Sequence, residues 1–312
     1  MILGPIENQI TDSRRVLIAG AGGGYDVLGA VPLAMRLEQR GLEVFLANLS
    51  FTNLVRLDAD RSATHPVLFE VSRRAARSDM YCPEAWLAAW YHERHGVDRL
   101  VAALFKTGVK QLSAAYAHLV ERHDIDTIVL LDGGIDLILR GDESSLGTPA
   151  EDLASLTAVA QLDVRTKIAA CVGFGVELRD GIRHAQVLRR IADLTGAGAY
   201  YGSTALVSGQ PEGDAYLDAL EYVFAGQAAQ RKSHVHRMIR DSMRGEFGGE
   251  QGPDIWVSPL MNVYWYFSLD AVFGAHLFAE HLQFTTDITE VAYTIEAWRK
   301  DVAIHDSEDI PI

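Results

Sequence analysis

Asp132-Gly133-Gly134-Ile135-Asp136 and, a few residues on, Arg140-Gly141-Asp142-Glu143 bring four carboxylates, one guanidinium and three glycines into a single short stretch. Carboxylates this close can divide general-acid and general-base work, hold a substrate ammonium or hydroxyl, or offer hard oxygen ligands to a divalent cation. Asp132, Asp136 and Glu143 are the candidate catalytic residues. Asp132 and Asp136 are also the candidate metal ligands, with Asp142 or Glu143 as further donors and Mg²⁺ as the ion that suits them. Gly133, Gly134, Arg140 and Asp142 are candidate substrate contacts, since paired glycines let a ligand approach the backbone. The plainer account is that some of these aspartates cap turns, as aspartate readily does beside glycine.

A second glycine-rich stretch, Gly20-Ala21-Gly22-Gly23-Gly24-Tyr25-Asp26, offers backbone N–H groups to a polar or anionic part of a substrate. Gly22, Gly23, Gly24, Tyr25 and Asp26 are its candidate contacts. It departs from a dinucleotide fingerprint at three points. Tyr25 replaces the third glycine, Asn48 stands where an acid is wanted at the end of the second strand, and Pro32 falls early in the following helix. NAD and FAD are therefore disfavoured. A third turn, Gly173-Phe174-Gly175-Val176-Glu177, could send Glu177 into the same site, with Phe174 as a wall.

The histidines are read as structural. His92 and His95 lie on a solvated face, and His234 and His236 sit in a basic segment with the character of a solvated face or a subunit contact. Short histidine spacings without a third ligand are weak metal signals. The chain has no G-x-S-x-G and no G-x-x-x-x-G-K-[ST], which removes the serine-hydrolase and P-loop readings.

Such residues need a frame. With 42 acidic against 28 basic residues, the net charge is −14, which argues against nucleic acid and anionic membranes as partners. Two distant cysteines suggest neither a disulfide framework nor a zinc site, so a reducing, cytoplasmic setting fits. No signal peptide is expected at the amino terminus. The apolar stretch 261–282 contains Asp270, His276 and Glu280, and is expected to be a buried or interface helix rather than a membrane span.

Apolar runs at 15–20, 43–48, 126–131 and 167–173 read as buried strands, with weaker ones at 66–71 and 199–207. Helices are expected over 31–39, 84–95, 97–123, 184–195, 214–226, 231–244 and 261–282. Another runs from a capping box at Thr148, Pro149 and Glu151 to about residue 162. Residues 245–253 read as a flexible loop, a lid or a boundary, and 255–258 as a short extended piece. Alternating strands and helices imply a Rossmann-like, doubly wound α/β fold with a mainly parallel sheet, a single domain and a helical carboxyl-terminal portion. Ligands of such sheets bind outside the carboxyl ends of the strands, where strand order reverses. Both glycine-rich turns lie on that edge.

Gly-Gly-Gly-Tyr-Asp at 22–26, Asp-Gly-Gly-Ile-Asp with Arg-Gly-Asp-Glu at 132–143, and Gly-Thr-Pro-Ala-Glu-Asp at 147–152 together resemble an uncharacterised family of archaeal and bacterial proteins, catalogued as a domain of unknown function. The resemblance covers most of the chain and implies a shared fold and site, without a reaction. The Asp-Gly-Gly element is also similar, as a fragment, to one in D-glutamate cyclases. The expected function is that of an enzyme of small-molecule metabolism. It would hydrolyse or transfer at a carbon–nitrogen or phosphate-ester bond, with or without Mg²⁺, and be plausible as a homo-oligomer. The alternative is a nucleotide- or metabolite-sensing protein without catalysis.

Overall fold

The computed structural model describes residues 2–247 and 256–305. Its frame is one sheet of nine strands: β1 (Arg15–Gly20), β2 (Glu43–Ser50), β3 (Asp60–Arg61), β4 (Leu68–Val71), β5 (Val101–Phe105), β6 (Thr127–Asp132), β7 (Thr166–Val172), β8 (Tyr200–Ala205) and β9 (Val263–Ser268). The spatial order is β3-β4-β5-β2-β1-β6-β7-β9-β8. The five central strands, β5, β2, β1, β6 and β7, are parallel, while β4 and β9 run against them. From β1 the chain passes outward to β2 and later returns on the other side to β6. The strand order therefore reverses between β1 and β6, and a crevice opens beyond their carboxyl ends.

Neighbouring residues of the central strands pack on opposite faces. Leu17 and Leu130 belong to one apolar cluster and Val16, Ile18 and Val129 to the other. Strands covered on both sides read as continuous apolar runs, which is why these were visible in the sequence. One face is covered chiefly by α1 (Ala30–Gln39), α2 (Pro83–His95), α6 (Pro211–Gly226) and α7 (His234–Met243). The other carries α3 (Val109–His123), α4 (Pro149–Ala160), α5 (His184–Gly196), α8 (Leu269–Ala275) and α9 (Ile288–Arg299). This is the doubly wound α/β architecture. Helix α1 begins only at Ala30, after a 3₁₀ turn Asp26–Gly29, so Pro32 lies in its first turn and costs no hydrogen bond.

Four expectations are corrected. The helix over 97–123 is a strand and a helix: Val101–Phe105 pairs between β2 and β4, and Gly108 opens α3. A five-residue apolar run fits either period, and burial between two strands decided it. The helix over 261–282 is likewise β9 followed by α8, with Ser268 capping α8 through a hydrogen bond from Ala271 N. Aromatic Tyr264, Trp265, Tyr266 and Phe267 favour a pleated surface, and the Tyr264 and Tyr266 hydroxyls donate to the carbonyls of Gly29 and Ile2. The carboxyl-terminal portion is thus not purely helical. The capping box at Thr148 does not form. Thr148 makes no side-chain cap, and Glu151 instead pairs with Lys106 at 2.8 Å. The helix over 231–244 begins at His234, capped by Ser233. Most of the 245–253 loop, and Ile255, lie outside the described residues.

Candidate functional site: a buried carboxylate cluster at the β1–β6 crevice

Four segments deliver five acids to this crevice. Asp132 is the last residue of β6, and Asp136 opens the 3₁₀ turn Asp136–Ile138 directly beyond it. Asp26 follows β1, Glu177 follows β7, and Asp152 lies one turn into α4. All five are buried. One oxygen each of Asp132, Asp136 and Asp152 lies within 4.8 Å of the others. Glycines make this approach possible. A Cβ on Gly22 would come within 2.7 Å of Asp152 Oδ1, and one on Gly134 would overlap Glu177 Oε1 while reaching Asp136 Oδ1 at 3.1 Å and Asp132 Oδ1 at 3.3 Å. Gly147, at φ +66°, leaves the same kind of space beside Asp136.

The hydrogen bonds explain the orientations. Asp26 Oδ2 accepts from the N–H groups of Gly22 (2.8 Å) and Gly23 (2.9 Å). These two donors were the natural cradle for an external anion, and the chain's own aspartate holds them. Asp136 Oδ2 accepts from Thr148 N (2.9 Å) at the start of α4, where the helix dipole favours negative charge. The Thr148 hydroxyl stands 3.3 Å from that oxygen and 3.4 Å from Asp152 Oδ2. Asp132 Oδ2 accepts from Leu137 N, and Glu177 Oε1 from Ile135 N. Ser155 donates to the carbonyl of Ala21 at 2.8 Å, tying α4 to the loop after β1. Among the described residues, Asp152 Oδ1 and Glu177 Oε2 are buried without a hydrogen-bond partner.

The electrostatics follow from burial and from like charge. Burial is the largest influence on each acid, and the charges that further raise Asp26, Asp132, Asp152 and Glu177 are those of other carboxylates. Asp26 is pushed up to about 7, opposed by the N–H groups of Gly23, Gly22 and Gly133. Asp132, Asp152 and Glu177 are driven well above the ordinary carboxylate range, and Asp136 is raised despite its bonds to Thr148. Five such groups cannot all be ionised in a dry site unless a cation joins them.

Asp132, Asp136, Asp26 and Glu177 are therefore brought together with the glycines 22, 133 and 134. Gly23 and Gly24 turn with positive φ beneath the Phe51 ring, and Tyr25 packs edge-on against Tyr81 and Phe224. Arg140, Asp142 and Glu143 go elsewhere. The Glu143 carboxylate folds back to accept from the N–H groups of Arg140 and Gly141, both at 2.8 Å, and Arg140 pairs with Asp142 at 2.9 Å. These three line a separate cavity against α5. A side chain that bonds the backbone three residues before it, as Glu143 bonds Arg140, makes a self-capped turn, the plainer account given above for acids beside glycine.

Two residues at the cluster were not singled out from the sequence. Asp152 resembles an ordinary first-turn helix acid; its clues were its place at the end of the 147–152 motif and four residues after Thr148, one helical turn away. His236 is not on a solvated face but buried, with Nδ1 2.7 Å from the Tyr216 hydroxyl and Nε2 beyond the edge of Gly133. Burial lowers it to about 4, so it is neutral. Phe174 is buried against His184 and Trp265. Asn48, at the position of a ribose-binding acid, donates to the carbonyl of Gly24 (2.9 Å) and to buried Glu84 (2.8 Å).

Fold and site together define a doubly wound α/β protein whose polar centre is a cluster of buried acids at the switch point. The chain belongs to the family described as protein of unknown function DUF1152, whose model matches residues 71–299. No curated protein matches it, and no solved structure matches it. Among the described residues, no helix is long and apolar enough to cross a membrane.

Proposed function

We propose that the cluster holds a divalent cation, with Mg²⁺ or Mn²⁺ as the best candidates, and that the chain is a metal-assisted enzyme acting on a small polar substrate. The observation that carries this is the meeting of Asp132, Asp136 and Asp152 within 4.8 Å, buried, beside two carboxylate oxygens that have no hydrogen-bond partner. Oxygen ligands are what hard cations prefer. When bound, the cation would polarise a phosphoryl or carbonyl oxygen or acidify a water. The chain's own part is proton handling. Asp26, beside the triad and held through Oδ2 by the N–H groups of Gly22 and Gly23, is placed to take up and return a proton. Glu177, anchored through Oε1, keeps Oε2 free to orient a donor group of the substrate.

Hydrolysis or transfer at a phosphate-ester or carbon–nitrogen bond is the reaction class that suits this set. The test is a turnover screen of phosphate esters, amides and lactams with Mg²⁺, Mn²⁺ or EDTA, on the wild type and Asp132→Asn. Metal-dependent turnover that disappears in a folded Asp132→Asn chain supports the proposal. Turnover indifferent to EDTA and to the substitution would sink it.

The burial of all five acids favours one rival, a metabolite-binding sensor in which the cation is held without catalysis. Cation binding without turnover of any of these substrates would point to it.

A further inference from the structure

The cavity that received Arg140, Asp142 and Glu143 has a chemistry of its own. It encloses about 150 Å³ between the 140–143 loop, the α5 residues Gln186 and Arg190, and His305. That is below the roughly 300 Å³ at which drug-sized pockets begin, so its occupant is small. Arg190 forms its inner wall at 4 % exposure. Its Nε donates to the Ile138 carbonyl at 2.7 Å, while Nη2 is buried with no acceptor among the described residues. A buried guanidinium N–H without an acceptor carries a full desolvation cost, which an anionic oxygen would relieve. The acids present do not provide it. Both oxygens of Glu143 are taken by backbone N–H groups, and Asp142 Oδ2 is held by Arg140 and faces His305 at 3.6 Å.

We propose that this cavity binds the carboxylate group of a small molecule, with the Arg190 guanidinium on its inner wall as the donor. The charge balance selects the class. Arg140, Arg189 and Arg190 face Asp142, Glu143 and Asp193 around the cavity, so three positive groups meet three negative ones. A monocarboxylate, or a zwitterion whose ammonium reaches exposed Asp193 at the rim, is accommodated. A multiply charged phosphate meets three acids at close range and is disfavoured. This site is separate from the carboxylate cluster and does not depend on the function proposed for it. The turn Asp136–Ile138, whose far carbonyl Arg190 holds, joins the two.

Saturation-transfer NMR on the full chain reads weak binding, with sodium acetate, glycine and inorganic phosphate as probes, the last followed by its ³¹P linewidth. Acetate or glycine should bind, glycine the more tightly if Asp193 takes the ammonium, and phosphate should bind more weakly than either. Ala185→Leu fills the cavity from α5 and leaves the Arg190 residue in the chain, and Arg190→Lys keeps the charge but loses the fixed fork. Each should weaken carboxylate binding about tenfold or more, and Ala185→Leu stands as the test if Arg190→Lys fails to fold. Absence of acetate and glycine binding to the wild type overturns the proposal. So does phosphate binding more tightly than both, or carboxylate binding undiminished in Ala185→Leu.

Discussion

A side-chain carbon on Gly133 would come within 2.6 Å of Asp26 Oδ1, so the loop after β6 closes on the loop after β1 with no space for a methyl group. The acid cluster exists because of that closeness. The same contact makes the glycines testable. Gly133→Ala and Gly134→Ala should each destabilise the chain by about 1–3 kcal/mol through forced displacement of carboxylates. Gly274→Ala, in α8 with open space around it, should be neutral or stabilising by up to about 1 kcal/mol. Denaturant midpoints separate the two classes, and a Gly134→Ala chain as stable as the wild type would contradict the packing.

Asp152→Asn should make the metal-free protein more stable. Asp152 is buried, and its neighbours Asp136 and Asp26 raise it by repulsion after burial itself. Removing its charge relieves them, and a gain of about 0.5–2 kcal/mol is expected, the familiar result of neutralising a strained functional site. The same variant should lose any stabilisation by Mg²⁺. Thermal unfolding with EDTA and with Mg²⁺ reads both effects, and a destabilised metal-free variant would count against the repulsion.

Asn48→Asp tests whether the end of β2 can become a ribose-binding acid. Asn48 donates to Glu84 at 2.8 Å in a fully buried setting. An aspartate would replace that donor with a second carboxylate and leave the Gly24 carbonyl unpaired. A loss of about 3 kcal/mol or more at neutral pH is expected from an uncompensated buried charge. A variant of unchanged melting temperature would refute this account of the loop's support.

His276 gives the chain an acid-side weakness. Its Nδ1 accepts from the N–H groups of Phe278 and Ala279, and burial, aided by Arg190, lowers it to about 3. Between about pH 6.5 and 3 the unfolded chain binds a proton there that the folded chain refuses. Its contribution is present above pH 6.5 and lost as pH falls, by about 1.4 kcal/mol per unit. His276→Asn keeps an acceptor but does not titrate, so its stability should fall less steeply below pH 6. Parallel profiles for the two proteins would contradict the assignment.

The parallel centre of the sheet was legible because β1, β2, β6 and β7 are buried on both faces and bounded by turns. β5 and β9 were not, because Val101–Phe105 and Val263–Ser268 are short apolar runs whose period fits either state. Only pairing with β2 and β4, and with β7 and β8, makes them strands. The site followed the same division. Asp132, Asp136 and Asp26 stand beside glycines at strand ends, where topology brings them together whatever the helices do. Asp152 comes from a helix whose rotation the sequence does not state. The Arg140–Glu143 loop looked continuous with Asp132 along the chain, yet the turn Asp136–Ile138, with Ile138 buried, directs it to the other cavity.

The central claim is that Asp132, Asp136 and Asp152 hold a divalent cation. Titration of the metal-free chain with Mn²⁺, followed by electron paramagnetic resonance of the free ion, tests it most directly. One Mn²⁺ should bind per chain, more tightly as pH rises because ligation displaces protons from the carboxyls, and at least about tenfold more weakly in Asp152→Asn. No binding at millimolar Mn²⁺, or equal binding by wild type and a folded Asp152→Asn chain, would contradict the account.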